Sequence, residues 1–173
     1  TGRGMQEDIP LGTFLVSEKS IGWDGVLAFY EGRDEIADLG FEDALVDFIH
    51  YPAKAARPYV VAANPELVNR IAGDEMMRGC TIAANGFYGP QGRVLRCDLA
   101  VKDINERITD FRYEGQRITN YEMEGSAIAG LSLLMGHKAM TVCCVIAQRK
   151  VEAANTDYKP RIKQLVQTVL ERI

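Results

Sequence analysis

Glu122, Met123 and Glu124 bring two carboxylates and a thioether together within three consecutive positions. Carboxylates can accept hydrogen bonds from the hydroxyls of a sugar, and a thioether can lie against its apolar face. The triplet falls at a change of pattern. Before it, Arg117-Ile118-Thr119-Asn120-Tyr121 is rich in β-branched and aromatic residues, which predicts a strand. After it, Ala127, Ile128, Leu131, Leu134 and Met135 recur at helical spacing. Ligands of α/β sheets bind outside the carboxyl ends of strands, where such a strand-to-helix turn stands. The plainer alternative is an acidic first turn of a helix, favoured by the helix dipole.

A second set of chemically able residues lies in Asn85-Gly86-Phe87-Tyr88-Gly89-Pro90-Gln91-Gly92-Arg93. Its glycines and proline predict a loop, which presents side chains rather than burying them. Gln91 offers an amide with donor and acceptor, Arg93 a fixed fork of donors, and Phe87 a flat apolar face. Such a set can hold a planar base that carries carbonyl oxygens. The alternative is an ordinary turn with solvated polar side chains.

Elements must hold these two segments in place. Strands are expected at Thr13–Ser17, Met77–Ala84, Ile118–Tyr121 and Ala139–Ala147, the last apolar throughout and so buried on both faces. Helices are expected at Phe41–Ile49 and from Asn64, where Asn64 suits an N-cap and Pro65 the first helical position, to a stop at Gly73. Further helices are expected at Asp103–Phe111, at Ser126–Met135 before Gly136, and at Pro160–Ile173, where Ile162, Leu165, Val166, Val169 and Leu170 share one side. Strands alternating with helices predict an α/β fold with a mixed central sheet flanked by helices. The length of 173 residues suits one domain, residues 1–173.

Composition narrows the function classes. A net charge of −4 disfavours nucleic acid as a partner, which calls for a basic face. No apolar run approaches the roughly 20 residues that span a bilayer, and no secretory signal is visible, so no membrane partner and a cytoplasmic location are expected. Cys80, Cys97, Cys143 and Cys144 form no Cys-x-x-Cys pair, and with two histidines in the chain no metal site is expected. Cys143 and Cys144 read as small core residues of a reducing compartment.

Taken together, the Phe-x-x-x-Gln-x-Arg loop at Phe87, Gln91 and Arg93 and the Tyr121-Glu122-Met123-Glu124 run resemble the uridine phosphorylases of the nucleoside phosphorylase family. Gln6–Pro10, Ser17–Gly25 and Met140 through Arg149 are similar to that family too, so the resemblance extends over nearly the whole chain. It implies reversible phosphorolysis in pyrimidine nucleoside salvage, in which uridine and phosphate give uracil and ribose 1-phosphate. In that implied site Arg93 is catalytic, stabilising charge on the departing uracil, and Gln91 and Phe87 hold the base. Met123 and Glu124 meet the ribose, Glu122 assists them, Ile146 joins the substrate-binding set, and Thr1 donates to phosphate. The resemblance also implies a homo-oligomer, with inorganic phosphate as co-substrate and no metal or organic cofactor.

The pattern departs from the family at several points. Subunits of the family are longer, and their N-terminal part carries a glycine-rich phosphate loop. Here the sequence opens inside a later phosphate motif, a Gly-Thr-Ser-Gly-Gly-like turn. Thr1 stands at its threonine, Gly2 where a hydroxyl or thiol residue is usual, and Arg3 where a glycine is usual. The 173-residue chain alone is therefore expected to be weak or inactive. Gly125 replaces a common serine and gives the Met-Glu-Gly of related nucleosidases. Purine-type enzymes usually place an aspartate after the last buried strand, whereas Val145–Arg149 contains no acid. A purine-type phosphorylase, a nucleosidase and a non-catalytic nucleoside-binding chain remain the competing readings.

Overall fold

The computed structural model describes residues 1–148, 154 and 157–173. Its strands are β1 (Gly2–Gly4), β2 (Phe14–Gly22), β3 (Tyr59–Ala62), β4 (Met76–Ala83), β5 (Arg112–Tyr113), β6 (Gln116–Glu122) and β7 (Thr141–Gln148). Its α-helices are α1 (Arg33–Ile36), α2 (Leu39–Ile49), α3 (Pro65–Ile71), α4 (Ile104–Asp110), α5 (Gly125–Leu134) and α6 (Lys159–Arg172). The sheet is mixed. β2, β4 and β6 run parallel, whereas β3 and β7 run antiparallel to β2. Those two share one edge of β2 in succession: β7 pairs with Phe14–Ser17 and β3 with Lys19–Gly22.

β1 closes the sheet on itself. It pairs parallel with β7 and antiparallel with β6, so β1, β7, β2, β4 and β6 form a ring. Across the ring runs a chain of buried hydroxyls and an amide. Ser17 Oγ and Thr81 Oγ1 lie 2.6 Å apart, Thr81 Oγ1 donates to Asn120 Oδ1 at 2.9 Å, and Thr119 Oγ1 donates to the same oxygen at 3.0 Å. Buried polar groups are tolerated when paired in this way.

N-cap side chains explain the starts of α2 and α3. Asp38 caps α2, accepting from Phe41 N–H at 3.0 Å, and also takes Lys19 Nζ at 2.6 Å. Asn64 caps α3 through Leu67 N–H at 3.1 Å, with Pro65 at the first helical position. That helix ends at Ile71 with Ala72 extended, two residues before the glycine expected to stop it. Gly136 does end α5 in the left-handed conformation, at φ 73°.

The largest core packs α2 and α4 on the sheet through Trp23, Phe41, Leu45, Ile82, Ile108 and Tyr121. A second cluster, with Phe14, Val16, Val68, Cys144 and Leu165, lies beneath α3 and α6. The burial expected for the last strand and the last helix does not hold in full. β7 is only half-buried at Thr141, Val142, Ile146 and Ala147, so it is not covered evenly on both faces. α6 buries Leu165 but leaves Val166 and Leu170 exposed. α5 departs further: it buries Gly125, Ser126, Ala129 and Gly130 and turns Ile128 and Met135 outward. A Cβ on Gly130 would meet Leu27 Cδ1 at 2.6 Å, which shows how closely this small-residue face approaches its neighbour. No described helix is long and apolar enough to cross a membrane.

Candidate active site

The parallel pairing of β4 with β6 brings the two chemically able segments to one end of the sheet. Ala83 is level with Glu122, and Ala84 N–H donates to Glu122 C=O at 2.9 Å. The loop 85–93 and the turn 122–125 therefore leave adjacent strands side by side, at the carboxyl ends where ligands of such sheets bind.

Glu122 closes β6 and is buried. Its Oε2 accepts from Glu124 N–H at 2.9 Å and Gly125 N–H at 2.7 Å, so it caps α5 from the preceding strand. It thereby quiets two of the donors a helix N-terminus leaves open. Burial holds the Glu122 carboxyl above its ordinary pKa, against the lowering effect of these backbone bonds. Its other oxygen, Oε1, is buried and meets no donor among the described residues. Met123 and Glu124, by contrast, are exposed, and the Glu124 side chain makes no cap bond. The acidic turn thus divides into one carboxylate that shapes the backbone and one that faces outward.

A network that sequence reasoning missed braces this turn. Tyr59 Oη donates towards Asp24 Oδ1 and Ser126 Oγ, each at 3.0 Å, and Ser126 Oγ donates to Asp24 Oδ2 at 3.0 Å. Burial pushes the Tyr59 phenol well above its ordinary value, so it stays a neutral donor. Asp24 stands in a run singled out for its resemblance to the family, but nothing in the sequence marks Tyr59 as its partner.

The loop carries a short 3-10 turn, Gly89–Gln91, ended by Gly92 at φ 64°. Phe87 and Tyr88 are exposed, as a presenting loop requires, but Gln91 is buried, with 3% exposure. The expectation that the loop presents its polar side chains is corrected at that residue. The 3-10 turn folds Gln91 inward, and Arg93 Nη1 donates to its Oε1 at 2.7 Å. Arg93 also donates to the Phe87 carbonyl, and its guanidinium lies over the Phe87 ring at 3.7 Å from the centroid. The guanidinium thus touches both the amide and the aromatic face, and its stacking on the ring is favoured by the ring quadrupole.

Thr1 is exposed and precedes β1. The tight phosphate turn expected at Thr1-Gly2-Arg3 is absent; Gly2–Gly4 is a strand, because Arg3 pairs with Tyr121 on one side and Ala147 on the other. The antiparallel register carries Thr1 past Tyr121 towards Glu122 and Met123. Gly2 fits because a Cβ there would meet Asn120 Nδ2 at 2.7 Å. Beside it, burial pushes the Cys143 thiol up to about 12, which keeps it a core residue rather than a nucleophile. Ile146 sits at the irregular step opposite Gly2 and Arg3, one strand from β6. Its side chain packs with the Phe14, Val16 and Leu165 cluster instead of the base loop. Arg149 lies outside the described residues.

A mixed sheet that delivers an aromatic–amide–guanidinium loop and an acidic thioether turn to one end defines a chain of the nucleoside phosphorylase kind. Residues 2–172 match the model of the phosphorylase superfamily, and the chain belongs to that family. Uridine phosphorylase A of Schistosoma mansoni is 41% identical over 73 residues, 41% of this chain and 24% of the relative. Among solved structures, a Trypanosoma brucei nucleoside phosphorylase described as showing uridine phosphorylase activity superposes with a TM-score of 0.82 at 23% identity, over 99% of this chain and 61% of that one. The apo uridine phosphorylase of Schistosoma mansoni gives 0.61 at 25% identity, over 99% and 56%. The chain therefore spans less than two thirds of the length of these relatives.

Proposed function

We propose that the protein cleaves uridine with inorganic phosphate, giving uracil and ribose 1-phosphate. A phosphate oxygen attacks C1′ of the ribose while the C1′–N1 bond breaks, and its electron pair leaves with uracil. Arg93 donates to a uracil carbonyl and stabilises that charge as it develops. Gln91 bonds the ring N3–H and a carbonyl, and Phe87 packs on the base. Glu124 accepts from the ribose hydroxyls, Met123 lies against the sugar, and Thr1 donates to phosphate. Glu122 serves by holding the Met123–Glu124 backbone. Phosphate is the co-substrate, and the reaction as written draws on no metal or organic cofactor. A partner subunit of a homo-oligomer completes the site.

The single observation that carries this reading is the register of β4 on β6, which sets the Phe87–Arg93 loop beside the Met123–Glu124 turn. The uridine phosphorylase relatives support the choice of base. The test is uracil release from uridine by the intact protein, with and without phosphate. Release should depend on phosphate, and inosine should be a poor substrate. Equal release without phosphate means a nucleosidase, and preference for inosine means a purine-type enzyme.

A further inference from the structure

Asn85, Gly89 and Pro90 of the base loop also line a second space, a cavity of about 400 Å³ walled by Trp23, Tyr51 and Asp98. None of Phe87, Gln91, Arg93, Met123 or Glu124 lines it. Trp23 is 3% exposed, and its indole N–H is buried without an acceptor among the described residues. A buried donor left in that state is costly, and an acceptor entering the cavity would satisfy it. The Trp23 and Tyr51 rings pack against each other, with centroids 5.4 Å apart and planes inclined at 58°, and together form an aromatic wall of the cavity. Burial, with the charge of Asp24, pushes the Tyr51 phenol up to about 12, so it adds no charge to the cavity. At the rim, Asp98 and Asn85 are exposed and offer a carboxylate and an amide.

We infer that this cavity binds a small flat heteroaromatic amide. Its carbonyl accepts from Trp23 N–H, its N–H donates to Asp98, and its ring lies in the cavity against the wall formed by Trp23 and Tyr51. The volume suits a ligand of one or two rings. The Asp98 carboxylate turns away an anion of the same shape. Occupancy braces the loop 85–93 from a side the nucleoside does not use, so the two ligands influence each other reciprocally. That coupling rests on the nucleoside reading above; the binding itself does not.

The single tryptophan lines the cavity and reports on it directly. The probe is nicotinamide, titrated into the intact protein while tryptophan emission is followed. A saturable change is expected with half-saturation on the order of 1 mM, within reach of a fragment of about nine heavy atoms. Nicotinate, which sets a carboxylate against Asp98, should bind about tenfold more weakly, and Asp98→Asn should narrow that difference. Ala100→Phe, at an exposed lining residue, should abolish the change, whereas Arg93→Ala should preserve it. Silence up to about 50 mM nicotinamide, equal responses to amide and acid, or an unaltered titration in Ala100→Phe overturns the inference. Loss of the response in Arg93→Ala also overturns it, because the probe would then be reading the nucleoside site.

Discussion

Replacing Glu122 by alanine should unseat the N-terminus of α5. The carboxylate accepts from Glu124 N–H at 2.9 Å and from Gly125 N–H at 2.7 Å, both through Oε2. Glu124 is exposed, so water can replace one of these bonds; Gly125 is buried, and its donor would be orphaned. An orphaned buried donor costs about 1–3 kcal/mol, and a lost cap about 0.5–2 kcal/mol. Together these give a loss of about 3 kcal/mol, or roughly 6–12 °C in Tm for a chain of this size. Glu122→Gln keeps an oxygen at the Oε2 position and should cost less than about 1 kcal/mol. Thermal and urea unfolding of both variants measures the difference. The pH dependence gives an independent check. Burial raises the folded Glu122 pKa above its ordinary 4.5, so the unfolded chain releases this proton first as pH rises. Glu122 therefore contributes a loss of stability as pH climbs from 4.5 through its raised folded value, and a gain as pH falls back. Glu122→Gln should flatten that part of the curve. A glutamine variant as damaged as the alanine one refutes the capping argument, and an unchanged slope refutes the argument from burial.

Two further substitutions separate base from sugar. Arg93→Ala should lower uridine turnover by on the order of 10²–10³-fold while sparing the core, because it donates to Phe87 and Gln91 of the same loop; near-normal turnover with a collapsed Tm would make Arg93 structural. Glu124→Gln should hurt uridine more than 2′-deoxyuridine, since it weakens a charge-assisted bond to a hydroxyl the deoxy sugar lacks. Gln91→Ala should hurt both alike. The ratio of kcat/KM for the two nucleosides decides: if Glu124→Gln leaves it fixed while Gln91→Ala moves it, the division into sugar and base ends is wrong.

Periodicity made β2, β4, β6 and the main helices legible, because their apolar spacing is dictated by burial. β1 was not legible. Gly2-Arg3-Gly4 has no intrinsic strand preference, and it is extended only because Tyr121 and Ala147 flank Arg3. β3 is a four-residue run, too short to show alternation, held by its pairing with Lys19–Gly22. The inner face of α5 is hidden for a different reason: close approach to Leu27 selects Gly130, so the larger Ile128 marks its outer face. At the site, residue types drew attention to the loop and the turn. They could not tell that Gln91 is folded inward or that Glu122 serves the backbone, since both depend on where a neighbouring amide or guanidinium lies.

Closure of the ring by β1 has a consequence for synthesis on the ribosome. Gly2–Gly4 emerge well before their partners at 120–121 and 145–148. At roughly 5–20 residues per second, β1 waits on the order of ten seconds for both neighbours. During that interval the ring stays open, and β6, once made, offers an edge to any extended segment nearby. The short, glycine-flanked β1 is a poor template for mispairing while it waits. The ring therefore shuts only when the end of β7 has left the ribosome, and a nascent chain stalled before Val145 cannot complete it.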